Sequence, residues 1–422
     1  MAAKRVKKNF PTRSDGIANS TRAVDRISKL PDPLIHHILS FVPTIDVVRM
    51  SILSRRWRRV WYSVPALHLS DTDHMRRYCF QREPQQAFYK FVDKCLKHRE
   101  RSMRYIADSV ITRFKLHTEY HGDSAALDNW LTFPVRTNVE ELDLSLEPED
   151  FEDYYCLPEA VLNARSLTVL KLDFLTFDCS CSVSLPSLIS LSLTEVELCD
   201  EALHNLLLGC PALDKCLLSK CGGLLNPQIS SSTLKFLEIV GELTSETIKV
   251  ETRKLRSFIY RGNCVDINLS ACKAIRNLSL SSYGLDNQKL EGIIFGLPLL
   301  ECFTLGIHSR VKHFRICGQH LKSIRLDKVY NKEVEEFTIE APNLVSFCYK
   351  GDAKIAILIN AQDNILNGHI IIDMNSPNQK YDTKWYLNLI IFLSNINFSW
   401  KTTVSLHVYS EEVCILCTCS TN

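Results

Sequence analysis

The chain has 422 residues, of which 45% are hydrophobic and 23% charged, the balance of a folded protein rather than a disordered or fibrous one. Lys and Arg number 50 against 48 Asp and Glu, so a formal net charge of +2 gives no global field toward nucleic acid or an anionic membrane. No apolar run approaches the roughly 20 residues that span a bilayer, and the N-terminus lacks the apolar stretch of a signal peptide. We therefore expect a protein of the nucleus and/or cytoplasm with neither a membrane nor a nucleic-acid partner, whose 17 cysteines are reduced.

Residues 1–24 form a tail without periodic apolar positions. It carries a basic cluster made of Lys4, Arg5, Lys7 and Lys8. A disordered basic tail is the prediction. Such a cluster is either a nuclear localisation signal or a solvated tail without that role, and the second is commoner.

Residues 25–70 have the pattern of three short amphipathic helices. Apolar residues between Leu34 and Val42 follow helical spacing, and a proline ends this first helix. We expect Thr44 to cap a second helix and Ser54 a third, on which Trp57 and Trp61 share one face. A bundle this small is marginal by itself, so part of its apolar surface is expected to bind another protein. The alternative is that the two tryptophans only close the local core.

A helical connector is predicted for residues 71–110. Apolar residues repeat at helical spacing between Phe88 and Leu96, after the breaker-rich stretch around Pro84. This helix is expected to pack under the first repeat of the next region and to set the angle between the two modules.

Residues 111–350 repeat the frame apolar-x-x-apolar-x-apolar, as in Leu167–Leu172. Eleven copies align at intervals of about 20 to 28 residues, the period of a solenoid. Each frame predicts a short strand, and parallel stacking of these strands would bury a continuous core. The central position of the frame is always apolar, in the order Phe114, Leu142, Leu170, Leu191, Cys216, Leu237, Phe258, Leu278, Phe303, Ile324 and Phe347.

The longer intervals predict helices on the outer side of the solenoid. Asp200 and Asp286 are each placed to cap such a helix. Shorter intervals leave room for loops or a tight helical turn. Residues 351–422 should cap the array, with strands predicted at Ala353–Asn360 and Thr403–Val408 and a helix at Lys384–Leu393.

The string Leu30-Pro31-Asp32, followed by Leu53-Ser54-Arg55-Arg56-Trp57, resembles the F-box of plant F-box/leucine-rich repeat proteins, and the repeats resemble those of the same family. The resemblance implies an α+β chain: a small three-helix F-box followed by an α/β leucine-rich repeat solenoid, or horseshoe. Many relatives continue into a C-terminal FBD domain, for which no clear counterpart is expected here. In the family the F-box docks onto a Skp-type adaptor, and the matching positions here are Leu30, Pro31, Ile35, Leu39, Leu53 and Trp57.

The function that this resemblance implies is that of a substrate-recognition adaptor in a Skp-cullin-F-box (SCF) ubiquitin ligase. The F-box would bind the adaptor and through it the cullin-RING, while the repeats would bind an unknown target protein. The alternative is a non-ligase leucine-rich repeat scaffold or ligand receptor. Outward-facing charged residues on the concave sheet are the candidates for target binding, although each one alone is more simply a solubilising side chain. They are Lys115, Asp143, Lys171, Glu238, Arg261, Arg325 and Asp327.

Other chemistries find little support in the sequence. It has no nucleophile elbow, zinc-protease pair, phosphate-binding glycine loop or dinucleotide fingerprint, so we expect no catalysis and no cofactor. The run Cys414-x-x-Cys417-x-Cys419 lacks a second paired motif, so no metal is expected. A basic face on the F-box helices is better explained as solvated surface than as a phosphate-binding site. It is formed by Arg49, Arg55, Arg56, Arg58 and Arg59.

Overall fold

A computed structural model shows a helical module followed by a long, mostly parallel sheet. Among the described residues, no helix is long and apolar enough to cross a membrane. The predicted tail at residues 1–24 lies outside the described residues. The structure describes residues 26–77, 84–105, 110–149, 153–178, 180–241, 247–263, 266–282, 285–307, 311–329, 334–351, 355–360, 367–373, 383–395, 403–409 and 414–419.

The helices begin with a 3-10 turn at Ile27–Lys29. In chain order they are α1 (Asp32–Leu39), α2 (Thr44–Met50), α3 (Arg55–Ser63), α4 (Asp71–Arg77), α5 (Pro84–Met103), α6 (Ser124–Arg136), α7 (Glu159–Leu162), α8 (Asp200–Leu208), α9 (Asn287–Phe295) and α10 (Thr383–Asn395). The strands are β1 (Ala66–Ser70), β2 (Arg113–Tyr120), β3 (Glu141–Pro148), β4 (Tyr155–Cys156), β5 (Val169–Asp173), β6 (Leu175–Thr176), β7 (Ser190–Thr194), β8 (Lys215–Ser219), β9 (Gln228–Ser230), β10 (Phe236–Val240), β11 (Thr247–Glu251), β12 (Ser257–Gly262), β13 (Asp266–Asn268), β14 (Asn277–Ser282), β15 (Cys302–Ile307), β16 (His313–Cys317), β17 (Ser323–Val329), β18 (Glu336–Glu340), β19 (Ser346–Gly351), β20 (Ala356–Asn360), β21 (Asn367–Asp373), β22 (Thr403–Tyr409) and β23 (Cys414–Cys419).

The predicted helix caps of the N-terminal module meet different outcomes. The Ser54 hydroxyl accepts a hydrogen bond from the Trp57 amide at 3.2 Å, so the predicted cap of α3 is confirmed. The predicted cap at Thr44 is wrong, because the residue at the N-cap of α2 is Pro43. Thr44 is instead buried, and its hydroxyl accepts from the His68 amide at 2.7 Å. It therefore joins α2 to strand β1.

Fifteen strands form the main sheet in the order β1-β2-β3-β5-β7-β8-β10-β12-β14-β15-β17-β19-β21-β22-β23. All neighbouring pairs in this sheet are parallel except β22 with β23. The predicted register is confirmed, since the central frame residues are direct partners from Phe114 and Leu142 at one end to Ile324 and Phe347 at the other. Every one of the eleven is buried. The repeated frame is therefore a single continuous apolar ladder.

The outer side of the sheet is more regular than predicted. Asp286 caps α9 by accepting from the Lys289 amide at 2.8 Å, as expected, whereas the residue at the N-cap of α8 is Cys199 and Asp200 is the first helical residue. The 28-residue intervals, the longest in the array, hold the helices α6 and α7. Shorter intervals form two small parallel sheets, β13-β11-β9 and β16-β18-β20, rather than loops.

The sheet extends beyond the predicted array at both ends. Strand β1 already pairs with β2, well before residue 111. Past residue 350, β20, α10 and β22 match the predicted strand, helix and strand to within a few residues. Strands β21 and β23, which were not predicted, complete the sheet.

Candidate docking surface

An arginine ties the start of the helical module to its third helix. Arg56 on α3 forms an ion pair with Asp32 at 2.6 Å and donates to the carbonyl oxygens of Ser28 and Leu30. The indole nitrogen of Trp57 donates to the Ser28 hydroxyl at 3.2 Å. Arg56 therefore holds the Leu-Pro-Asp segment against α3. The sequence alone placed this arginine in a solvated basic face.

Large apolar side chains form an exposed surface on this module, which we call the docking patch. Leu34, Ile38 and Phe41 follow one side of α1 and its end, with exposed fractions of 52%, 46% and 66%. Ile52 and Leu53, in the turn between α2 and α3, are 78% and 69% exposed. Clustered exposure of this kind marks a protein-interaction site rather than a scattered surface residue.

The six positions predicted to contact the adaptor divide between surface and core. Pro31 and Leu53 are exposed and Leu30 is half-buried. The other three lie in the hydrophobic core of the chain, where they shape the module rather than offer it surface: Ile35, Leu39 and Trp57. Adaptor contact stays a prediction for all six.

Sequence reasoning missed four members of the docking patch. Leu34, Ile38 and Phe41 stand at i, i+4 and i+7, so they share a helical face, whereas the buried Ile35 and Leu39 share the adjacent one. Helical spacing therefore separates the exposed face of α1 from its buried face, a division that the apolar content between Leu34 and Val42 does not show by itself. The fourth residue missed is Ile52.

Side chains from the sheet and from α5 hold the module in a defined orientation. Arg99 on α5 is fully buried and donates to the carbonyl oxygens of Trp61 at 2.7 Å and Val64 at 2.6 Å. Arg113 on β2 donates to the Ser40 hydroxyl at 2.8 Å, and its guanidinium lies 5.5 Å from the centre of the Phe41 ring. The docking patch is therefore positioned relative to the repeats by contacts from two elements.

The second candidate surface is the open face of the main sheet, formed by the strand residues that alternate with the buried ladder. Of the seven predicted target-binding residues, four pair with one another on this face: Lys115 with Asp143 at 3.7 Å, and Arg261 with Glu238 at 3.2 Å. The other three are Lys171 and Arg325, which are exposed, and Asp327, which is half-buried. Target binding by these seven residues stays a prediction.

Several side chains with shifted pKa values lie on strands β1, β2, β3 and β5 of this face. Burial pulls the pKa of Asp143 upward, but a 2.9 Å hydrogen bond from His117 and the charges of His117 and Lys115 outweigh it, so the pKa is lowered. Burial raises the pKa of Asp173 and lowers that of His68. His117 was not among the predicted residues, although it stands two positions after Lys115 and so faces the same side of β2.

No group of three or more His, Cys, Asp or Glu side chains within the described ranges is arranged to hold a metal ion. The run from Cys414 to Cys419 forms strand β23, and its side chains lie outside the described residues.

The fold and the docking patch define a repeat-based interaction protein with a helical docking module. Two family models match the chain: the F-box domain at residues 27–69, and the leucine-rich repeats of FBD-associated F-box protein At5g56370 at residues 127–276. Among curated proteins of Arabidopsis thaliana, F-box/LRR-repeat protein 25 is 32% identical over 55% of this chain and 78% of its own length. The putative F-box/LRR-repeat protein At3g18150 is 33% identical over 62% of this chain and 54% of its own length.

The chain belongs to the F-box/LRR-repeat family, and its α+β architecture is that of the family. It spans about half or less of the length of the first four curated relatives, between 37% and 54%.

Proposed function

We propose that the chain is the substrate-recognition subunit of an SCF ubiquitin ligase, whose F-box binds a Skp-type adaptor while the repeats bind the target protein. The docking patch carries this proposal, because its five exposed apolar side chains lie on the module that matches the F-box domain. Burial of such side chains against a partner is favourable by about 1.5–3 kcal/mol each. The adaptor would connect the chain to a cullin-RING.

The mechanism that follows is positional. An adaptor accelerates ubiquitin transfer by holding a target lysine near the charged conjugating enzyme, which raises its effective concentration. The contacts of Arg99 and Arg113 support this role, since Arg99 fastens the docking module to α5 and Arg113 fastens it to the sheet that would carry the target. The open face, with its charged residues on β2, β3 and β5, is the surface proposed for target capture.

Co-purification with a Skp-type adaptor tests the proposal. Ile52→Glu with Leu53→Glu places two charges in the docking patch, and because both side chains are exposed the fold should be unaffected. We expect the wild-type chain to retain the adaptor and the double variant to lose it. Ile189→Glu with Leu208→Glu is the matched control, since these two apolar residues are 50% and 63% exposed and belong to the repeats rather than to α1, α2 or α3.

Absence of adaptor binding by the well-folded wild-type chain would refute the ligase proposal and favour the scaffold or receptor alternative. Equal retention by wild type and double variant would instead show that the adaptor contacts another surface. Circular dichroism of each variant checks that loss of binding is not loss of fold.

A further inference from the structure

A row of charged side chains crosses the edge of the sheet where the strands begin. Asp214, Lys235, Arg256, Arg276 and Glu301 each precede a strand of the main sheet. The amide of each of the last four donates to the carbonyl of the preceding member at 2.9 Å. The five residues therefore lie side by side at the start of consecutive strands, roughly 4.8 Å apart.

Charge along this row is compensated at its ends and not in its middle. Lys235 pairs with Asp214 at 3.0 Å, and Arg276 pairs with Glu301, which also binds Lys322. Arg256 stands between two cations and forms no ion pair with any described residue. Neighbouring like charges on adjacent strands are destabilising.

Further cations surround this position. Arg253 and Lys254 are exposed in the turn that leads to Arg256, and neither forms an ion pair within the described part of the chain. Lys273, in the next turn, is also exposed, and its ammonium donates to the Gly296 carbonyl at 2.9 Å. We call this surface the basic rim; it consists of Lys235, Arg253, Lys254, Arg256, Lys273 and Arg276.

We propose that the basic rim binds a phosphorylated residue of the target protein, an inference that rests on the proposed function and names the chemistry of its partner. A phosphate dianion seated at Arg256 would supply the negative charge that the middle of the row lacks. Guanidinium groups of Arg253 and Arg256 bind phosphate oxygens through paired N–H donors, an arrangement that lysine alone does not provide.

The extent of the rim favours a peptide over a nucleic acid. Asp214 pairs with Lys235 on one side, and Glu301 pairs with both Arg276 and Lys322 on the other, so the uncompensated positive charge is confined to about 10 Å, the width of three strands. A nucleic-acid backbone requires a longer basic track for its successive phosphates. One anionic group fits the available space.

An apolar groove adjoins the rim and supplies a second point of contact. Phe295, at the end of α9, is 92% exposed, and Leu299 is 45% exposed. Phe295 lines a cavity of about 590 Å³ together with Pro298 and Leu321. Since Lys273 contacts Gly296, next to Phe295, the groove continues from the rim. The target segment therefore carries an apolar side chain close to its phosphorylated residue.

Fluorescence anisotropy with labelled peptide pools tests this inference on the full chain. One pool contains a central phosphothreonine with leucine two positions later in otherwise random sequence, and the second has threonine at the same position. We expect the phosphorylated pool to bind at least ten times more tightly. Arg253→Glu with Arg256→Glu should weaken its binding by about 100-fold or more, the range for losing two charge-assisted hydrogen bonds.

Lys94→Glu with Lys97→Glu is the control variant, because it makes the same charge change at exposed positions of α5. It should bind the phosphorylated pool like the wild type. Thermal denaturation gives a second readout: Arg256→Glu replaces the middle cation of the row by an anion and should keep or raise Tm. A lower Tm would contradict the assignment of uncompensated charge.

Equal affinity of the wild type for the two pools would overturn the inference, as would equal loss of binding in the rim and control variants. Tighter binding of a 20-residue uridine RNA than of the phosphorylated pool would also overturn it, in favour of a nucleic-acid surface. Adaptor co-purification by the rim variant separates the two proposals. If the wild type binds the adaptor but ignores phosphorylation, only the rim inference fails.

Discussion

Replacement of Arg99 by methionine should destabilise the whole chain. Its guanidinium is buried and hydrogen-bonded to two backbone carbonyls, Trp61 and Val64, that follow or end helix α3. It also lies 5.4 Å from the centre of the Trp61 ring. Burial lowers the pKa of Arg99 to about 10, so the group remains charged at neutral pH.

Two opposing terms set the size of the effect. Methionine leaves both carbonyls buried without a donor, which costs about 1–3 kcal/mol for each. Removing a buried charge returns part of this loss, because the desolvation penalty of the guanidinium disappears. The first term is the larger with two acceptors orphaned, and we expect a net loss of about 2–4 kcal/mol in the free energy of unfolding.

Urea denaturation monitored by tryptophan fluorescence measures the loss, since Trp57 and Trp61 both lie in the affected module. Arg101→Met on the same helix is the control, because Arg101 is exposed and its replacement should change stability by less than about 0.5 kcal/mol. If Arg99→Met unfolds at the same urea concentration as the control, the two hydrogen bonds contribute nothing and the reasoning is refuted.

Two further predictions concern local contacts. Ser54→Ala removes the side-chain acceptor at the start of α3 and should lower the free energy of unfolding by about 1 kcal/mol in the same urea assay; a change near zero would argue against the cap. Asp143 has a lowered pKa, so its contribution to stability is present above the unfolded pKa and lost as the pH falls through the folded one. Asp143→Asn should therefore lose less stability than the wild type as the pH falls below about 4, the unfolded pKa of an aspartate, and parallel pH profiles would contradict this sign.

The repeat register was predictable because it depends on a local pattern multiplied many times. A frame with three apolar positions recurs eleven times, and each copy specifies which side chains face inward. Cys216 shows how strong the pattern is, since the central position holds a cysteine here instead of a large apolar residue and is nevertheless fully buried between Leu191 and Leu237. The Ser54 cap was predictable for the same reason, as it acts within three residues.

Contacts between distant residues were not predictable from pattern. Arg56 reaches residues 24 to 28 positions earlier, and Arg99 reaches residues 35 and 38 positions earlier. Nothing in the local spacing of either arginine separates a buried donor from a solvated charge. The outer strands β9 and β13 were not predicted, because strands of three residues carry too few positions to show alternation.

Strand β1, which follows the helices of the docking module, covers one edge of the main sheet. Strand β1 (Ala66–Ser70) pairs in parallel with the first five residues of β2. It therefore covers backbone groups of β2 that would otherwise be free to pair with another chain. A fragment that begins at residue 111 would present the bare edge of β2 and should self-associate. We therefore expect the solubility of the repeats to depend on the five-residue strand that follows the helices of the docking module.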